Sequence, residues 1–263
     1  MIARIQHYLH LAAASQYEVI AVPPFTVYFS PSAVPFFNYA IPNTSAGHEI
    51  AAALVTFRRL CAERERLPRF EFVAEFAPDL PAALAGHGFV AESRNPLMLC
   101  SADSLRPAPP VAGLVVGEVT AASPDVLLRL QLETGARGFG PAAPPVTGRD
   151  IAGLRADMAS GARPFLAWLD DVPVAAGTLV CPADRLVELA GITTLPCFRR
   201  RGIAAVLTTA MARAAFDAGA EYALLSAADE RACRLYERAG FRPVATLCTF
   251  AGQFPCTTRL LAV

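Results

Sequence analysis

The segment Thr193-Thr-Leu-Pro-Cys-Phe-Arg-Arg-Arg-Gly-Ile-Ala204 carries the spacing most suggestive of chemistry in this chain. A strand-like run ends there, a tight turn holds Arg199-x-x-Gly202-x-Ala204, and a long apolar-periodic stretch begins. Such a turn aims free backbone N–H groups and the positive end of a helix at one point, which makes a site for phosphate. Gly202 lets the backbone approach a pyrophosphate, Ile203 opens the helix, and Ala204 keeps its first turn small. Arg199, Arg200 and Arg201 add positive charge. Upstream, Glu188 is the only carboxylate in the strand-like run 186–195. Cys197 lies in the same turn but has no histidine nearby to activate it, so it reads as a small residue at a buried edge.

The elements around this segment are legible from their periodicity. Ile203, Val206, Leu207, Ala210, Met211 and Ala214 recur at helical spacing, and the helix they imply stops at Gly219. Further on come a short apolar strand over 221–226, a helix over 229–239 with Gly240 as its cap, and a strand over 241–250. Before the turn, strands are expected over 113–120, 165–170 and 174–180. Helices are expected over 124–133 and from Thr147, with a Gly/Pro-rich loop over 135–145 between them. Strands alternating with helices predict an α/β protein of the α+β type, with a mixed sheet flanked by crossover helices.

Composition narrows the function. The chain has 263 residues, 54% of them hydrophobic, enough for one large or two modest domains with real cores. The 23 basic residues balance 23 acidic ones, so no global field favours nucleic acid or an anionic membrane. Every basic residue is arginine, which excludes a Walker-type lysine, a Schiff-base lysine and a Ser-Lys dyad. Cys61, Cys100, Cys181, Cys197, Cys233, Cys248 and Cys256 form an odd set without a C-x-x-C pair. His7, His10, His48 and His87 show no ligand spacing. These features point away from a disulfide framework and a metal site, and towards a reducing, cytoplasmic setting. Arg4, Gln6, His7 and His10 interrupt any signal-peptide core, and no apolar run reaches about 18 residues.

The turn and its surroundings resemble the GNAT acyltransferase superfamily, whose signature is Arg/Gln-x-x-Gly-x-Gly/Ala after the fourth strand. Thr194-Leu-Pro196 is similar to the family's Val-x-Pro strand end, and Ala232-x-x-Leu235-Tyr236-Glu-Arg-Ala-Gly240-Phe241 to its second signature. The resemblance implies that the amides of the turn grip the pyrophosphate of acetyl-CoA, with Arg199, Arg200, Arg201, Gly202, Ile203 and Ala204 around it. It also implies that the backbone N–H groups of Thr193 and Thr194 meet the thioester and pantetheine where the strand is splayed. Tyr236 stands at the family's general acid, facing the cofactor sulfur, and Glu188 at the place where some members keep a general base. Asp229 occupies the position of a family asparagine that touches the cofactor. The implied activity is acetyl-CoA-dependent N-acetylation, without a metal. The charge balance offers no acidic groove for a lysine-rich tail, which points to a small amine or amino-acid-like acceptor. A non-catalytic acyl-CoA-binding or regulatory module is the alternative, and a homodimer is an allowed assembly.

A faint internal repeat accompanies the motif. A shift of 152 positions superposes Gly88-Phe89 on Gly240-Phe241, Ala52-Ala53 on Ala204-Ala205 and Thr56 on Thr208. The same shift sets Phe36 at Glu188, Gly47 at Arg199, Ile50 at Gly202 and Leu84 at Tyr236. The expected organisation is a degenerate GNAT-like half over 1–103, a proline-rich linker over 104–111 and a catalytic half over 112–263. The first half is expected to bind no coenzyme. Its aromatics Phe25, Tyr28, Phe36, Phe37 and Tyr39 could line an acceptor pocket or sit in core strands.

Overall fold

The computed structural model describes residues 1–31, 38–45, 50–140 and 145–252. By packing, the chain separates into a unit of residues 1–95 with 245–263 and a unit of residues 96–244. The first opens with helix α1 (Ile2–Ala14), followed by strands β1 (Glu18–Val22), β2 (Phe25–Phe29) and β3 (Asn38–Pro42) in antiparallel succession. Helix α2 (Ala51–Glu63) crosses to β4 (Arg69–Val73), which lies parallel to β3. Helix α3 (Leu80–Gly86) and strand β5 (Val90–Cys100) complete this half of the sequence. Phe25, Phe57, Phe70, Phe72 and Phe89 are buried together in one core, with edge-to-face contacts about Phe70 at 5.0–5.2 Å. Of the aromatics read as pocket or core, Phe25 and Tyr28 are buried within this unit, whereas Phe36 and Phe37 lie outside the described residues.

The second unit repeats the plan. Strand β6 (Leu114–Glu118) leads to helices α4 (Asp125–Phe139) and α5 (Gly148–Ala159), then strands β7 (Arg163–Leu169), β8 (Val172–Leu179) and β9 (Leu186–Thr194) pair antiparallel. Helix α6 (Ile203–Asp217) crosses to β10 (Tyr222–Ser226), parallel to β9. Helix α7 (Glu230–Arg238) and strand β11 (Arg242–Ala251) follow. The packing division falls inside the two longest strands. Residues 97–100 of β5 pair with β10 in the second unit, and residues 247–251 of β11 pair with β4 in the first. At the 152-position shift, α6 falls on α2, β10 on β4, α7 on α3 and β11 on β5, so the repeat is one of structure as well as of residues.

Local chemistry explains most boundaries. Thr147 caps α5 in a reciprocal box with Asp150, and Asp229 caps α7 by accepting from the Ala232 N–H at 2.7 Å. One boundary differs from its sequence reading: α4 does not end at residue 133 but runs through Gly135 and Gly138 to Phe139. Both glycines face the sheet, and a side chain at Gly138 would overlap Thr193. Gly138 serves close approach of helix to strand, and neither glycine makes a turn.

The paired glycines Gly88 and Gly240 both follow a helix with positive φ, +78° and +99°. A Cβ at Gly240 would overlap the Ser104 carbonyl oxygen, whereas one at Gly88 would meet only the tip of Arg58 at 3.9 Å. Residues 104–106 are thus packed onto Gly240 within the second unit, with the Arg106 N–H also donating to Ala239 O at 3.0 Å. Gly240→Ala is expected to cost about 3 kcal/mol and Gly88→Ala about 1 kcal/mol, read by denaturant unfolding of the two variants. Equal losses would contradict this.

Candidate functional site

The turn between β9 and α6 is built to leave donors unsatisfied. Pro196–Phe198 forms one 3-10 turn, Arg200 takes a left-handed φ of +66°, and Gly202 a φ of +83° as the N-cap of α6. No side chain caps that helix, and Val206 N–H donates to Gly202 O at 3.1 Å as the helical ladder starts. Two left-handed residues so close in sequence turn successive N–H groups into a concave nest at the positive end of a 15-residue helix. Arg200 and Arg201 are exposed beside it, with the Arg201 guanidinium over the Phe198 ring at 5.4 Å. Val111 forms a wall: a Cβ at Gly202 would lie 3.4 Å from its Cγ2.

The strand that leads into this nest is forked away from its neighbour. β9 pairs with β10 at Leu186, Val187 and Glu188, opposite Tyr222, Ala223 and Leu224. Past Glu188 the pairing ceases, while β10 continues along β5 to Ser226. A bulge sits at the same place. Thr193 faces Ala176 and Ala190 faces Thr178, so Gly191 and Ile192 oppose the single residue Gly177, with Gly191 at φ +62°. The gap left between two parallel strands exposes backbone groups that a bound extended chain could pair with.

The two faces of the fork differ. Val187 and Leu189 pack with Ile203, Leu207, Leu225 and Tyr236 on the α6 and α7 face. Glu188 alternates to the other face, under α4, which packs on β8 and β9. The inner stripe of α4 is Leu128, Gln131, Thr134 and Gly138, all buried, so Glu188 shares its face with two polar side chains. Tyr236 is 8% exposed, its ring 6.1 Å from that of Phe241. Burial, and secondarily the negative charge of Asp229, pushes its phenol up to about 12, so the hydroxyl keeps its proton at neutral pH.

Thr193 and Thr194 are each 7% exposed at the end of β9. The Thr194 Oγ1 is buried with no hydrogen-bond partner among the described residues, a cost a protein tolerates where a ligand supplies the partner. The geometry changes the reading of three other residues. Arg199 does not present its side chain to the nest: its Nε donates to Thr194 O at 3.0 Å and its Nη2 to Gly138 O at 2.7 Å. Asp229 holds the N-terminus of α7 rather than a free carboxylate. Cys197 is exposed, not at a buried edge. Ile203 and Ala204 open α6 as read.

In the first half the ends of the parallel strands are bridged. Gln6, 1% exposed on α1, donates from Nε2 to Pro42 O at 3.0 Å and accepts from the Val73 N–H at 3.0 Å, bridging the ends of β3 and β4. His10, tied to the Tyr28 hydroxyl at 2.8 Å, adds a contact to Pro42 O at 3.2 Å. At the 152-position shift Pro42 and Val73 stand at Thr194 and Leu225, where β9 and β10 do not pair, so a side-chain amide links in the first half two strand ends that are apart in the second. Ile50, at the position of Gly202, is fully buried with an ordinary φ of −98°, and Leu84, at that of Tyr236, is core. Nothing in the composition singled out Gln6. Its partners lie 36 and 67 residues away in sequence. Gly47 lies outside the described residues.

Residues 137–241 match the model of the acetyltransferase (GNAT) family. That span contains the nest, the fork and Tyr236. A search of curated proteins returned no match. Among solved structures, a GCN5-related N-acetyltransferase from Kribbella flavida is 27% identical with a TM-score of 0.78, over 96% of this chain and 95% of that one. A tandem GNAT protein from the clavulanic acid biosynthesis pathway is 12% identical with a TM-score of 0.62, over 88% and 78% of the two chains. A GCN5-related N-acetyltransferase from Sphaerobacter thermophilus is 17% identical with a TM-score of 0.64, over 88% and 77%. The last two likenesses are of fold. The nest and the forked strands lie within the matched span, so residues 137–241 of this chain form a domain of the acetyltransferase (GNAT) family.

Proposed function

We propose that the second half, residues 112–263, uses acetyl-CoA to acetylate the amine of a small molecule or amino-acid-like acceptor by direct attack, and that the first half, 1–103, joined through 104–111, is a degenerate partner that binds no coenzyme. The observation that carries this reading is the fork, with an anion nest at its mouth, a protonated tyrosine on one face and a carboxylate on the other. The N–H groups at the start of α6, with Arg200 and Arg201, suit a pyrophosphate. The backbone of Thr193 and Thr194 and the orphaned Thr194 Oγ1 suit the amide and thioester of the pantetheine arm.

Each chemical step has a residue. Glu188 accepts a proton from the acceptor's ammonium, leaving a neutral amine whose nitrogen bonds to the thioester carbon. The backbone N–H groups of Thr193 and Thr194 stabilise the oxyanion that forms. When the oxyanion collapses and the carbon–sulfur bond breaks, the nitrogen gives up its remaining extra proton to solvent, and Tyr236 gives its phenolic proton to the leaving thiolate and is reprotonated from solvent. Holding both substrates in one fork supplies much of the acceleration. Gln131 and Thr134 offer hydrogen bonds to a small polar acceptor on the Glu188 face.

No helix among the described residues is long and apolar enough to cross a membrane. The six cysteines there are thiols, in keeping with a reducing cytoplasm. The test is release of coenzyme A thiol from acetyl-CoA in the presence of a panel of amines. Glu188→Gln is expected to lower kcat/KM about 100-fold while leaving the Kd for acetyl-CoA unchanged. Tight binding of acetyl-CoA without turnover on any amine would assign the fold to an acyl-CoA sensor instead.

A further inference from the structure

The first arginine of the turn is engaged away from the nest. Its guanidinium binds two carbonyl oxygens on different elements, Thr194 O at the end of β9 and Gly138 O in the last turn of α4. Gly138 O is among the carbonyls that a helix end leaves without an internal partner, at the negative pole of the helix. A guanidinium satisfies it with both a hydrogen bond and charge. The same contact is prepared from the helix side. Gly138 is buried, and a Cβ there would overlap Thr193 Oγ1 and come 2.9 Å from Thr193 Cβ, so only glycine lets α4 come this near to β9. Arg199 thus fastens the end of the helix that carries Gln131 and Thr134 to the strand end that presents Thr193 and Thr194.

We propose that Arg199 is a positioning residue for the acceptor side of the fork and not a phosphate ligand. This rests on the acyl-transfer reading only for the identity of that side. The clamp itself stands on the geometry. Its fork shape matters: two bonds in fixed directions from one planar group cannot be reproduced by the single ammonium of lysine. Loss of the clamp frees the C-terminal turn of α4 and lets the acceptor wall move relative to Glu188, while the nest, made of backbone and of Arg200 and Arg201, keeps its shape.

The test compares Arg199→Ala, Arg199→Lys and Gly138→Ala with Arg200→Ala in the full chain. Three readouts are taken: acetyl-CoA Kd by calorimetry, amide hydrogen exchange over residues 134–140, and the KM for each substrate with an accepted amine. For the first three variants the expected result is exchange over 134–140 faster by about tenfold or more and acceptor KM raised about tenfold, with the Kd for acetyl-CoA within about threefold of wild type. Arg200→Ala is expected to do the reverse, weakening acetyl-CoA about tenfold with exchange over 134–140 and acceptor KM unchanged. Should Arg199→Ala fail to fold, Gly138→Ala alone must show the pattern, because it opens the same contact without removing a charge. A loss of acetyl-CoA affinity in Arg199→Ala equal to that in Arg200→Ala overturns the proposal, as does unchanged exchange over 134–140. Absence of turnover on every amine would strike the acyl-transfer reading instead, and the exchange and Kd readouts would still decide the clamp.

Discussion

Gly202→Val is expected to weaken acetyl-CoA binding at least about 100-fold in calorimetry, with Gly202→Ala nearer tenfold. Gly202 holds φ at +83° as the N-cap of α6, where an L-residue costs about 1–2 kcal/mol, so alanine alone accounts for roughly a tenfold loss if the backbone shifts to relieve it. Valine adds branching. A Cβ at this position would already touch Val111 Cγ2 at 3.4 Å, so the extra methyl groups must turn towards the nest and deny a phosphate its close approach to the backbone. Each further 1.4 kcal/mol is another factor of ten. The first half shows the outcome of abandoning this conformation: Ile50, at the corresponding position, is buried and right-handed, and α2 begins without a left-handed cap. Wild-type affinity in Gly202→Val would place the coenzyme elsewhere.

Tyr236→Phe is expected to lower kcat about 100-fold or more while the Kd for acetyl-CoA stays within about twofold, since only the proton donor is removed and the ring still packs on Phe241. Burial, reinforced by Asp229, raises its pKa to about 12, so the hydroxyl still carries its proton when the thiolate leaves. The sign of the accompanying pH effect follows. A phenol raised from about 10 when unfolded to about 12 when folded destabilises the native state once it would ionise. The stability tied to the protonated form is therefore fully present below pH 10 and is lost as pH rises through about 12. Across the neutral range Tyr236 remains a donor. Equal rates for Tyr236→Phe and wild type, with chemistry rate-limiting, would show that solvent or another group protonates the thiolate.

The sequence made legible what depends on local pattern and hid what depends on distant partners. The helix over 203–217, the strand before it and the signature through Phe241 follow from apolar spacing, Pro196, Gly219 and Gly240, and all appear within a few residues of their expected ends. Repetition at 152 positions was visible in a few residues and is carried by the order of elements from β3 and β9 onward. By contrast, Gly135 and Gly138 read as loop because glycine usually breaks helices. Only the proximity of Thr193 shows why Gly138 belongs inside one. Arg199 read as a phosphate ligand because charge is visible in sequence while an accepting carbonyl 61 residues away is not. Gln6 carried no signal for the same reason, yet it links two strand ends whose counterparts in the second half are apart.

The most direct test is single-turnover release of thiol from acetyl-CoA, with and without an amine acceptor, for wild type, Gly202→Val and Tyr236→Phe. One acetyl-CoA per chain, amine-dependent release by wild type, binding at least about 100-fold weaker by Gly202→Val, and binding without comparable release by Tyr236→Phe are the predicted results. Two coenzymes per chain, or release by Gly202→Val at the wild-type rate, would contradict a single active fork in the second half.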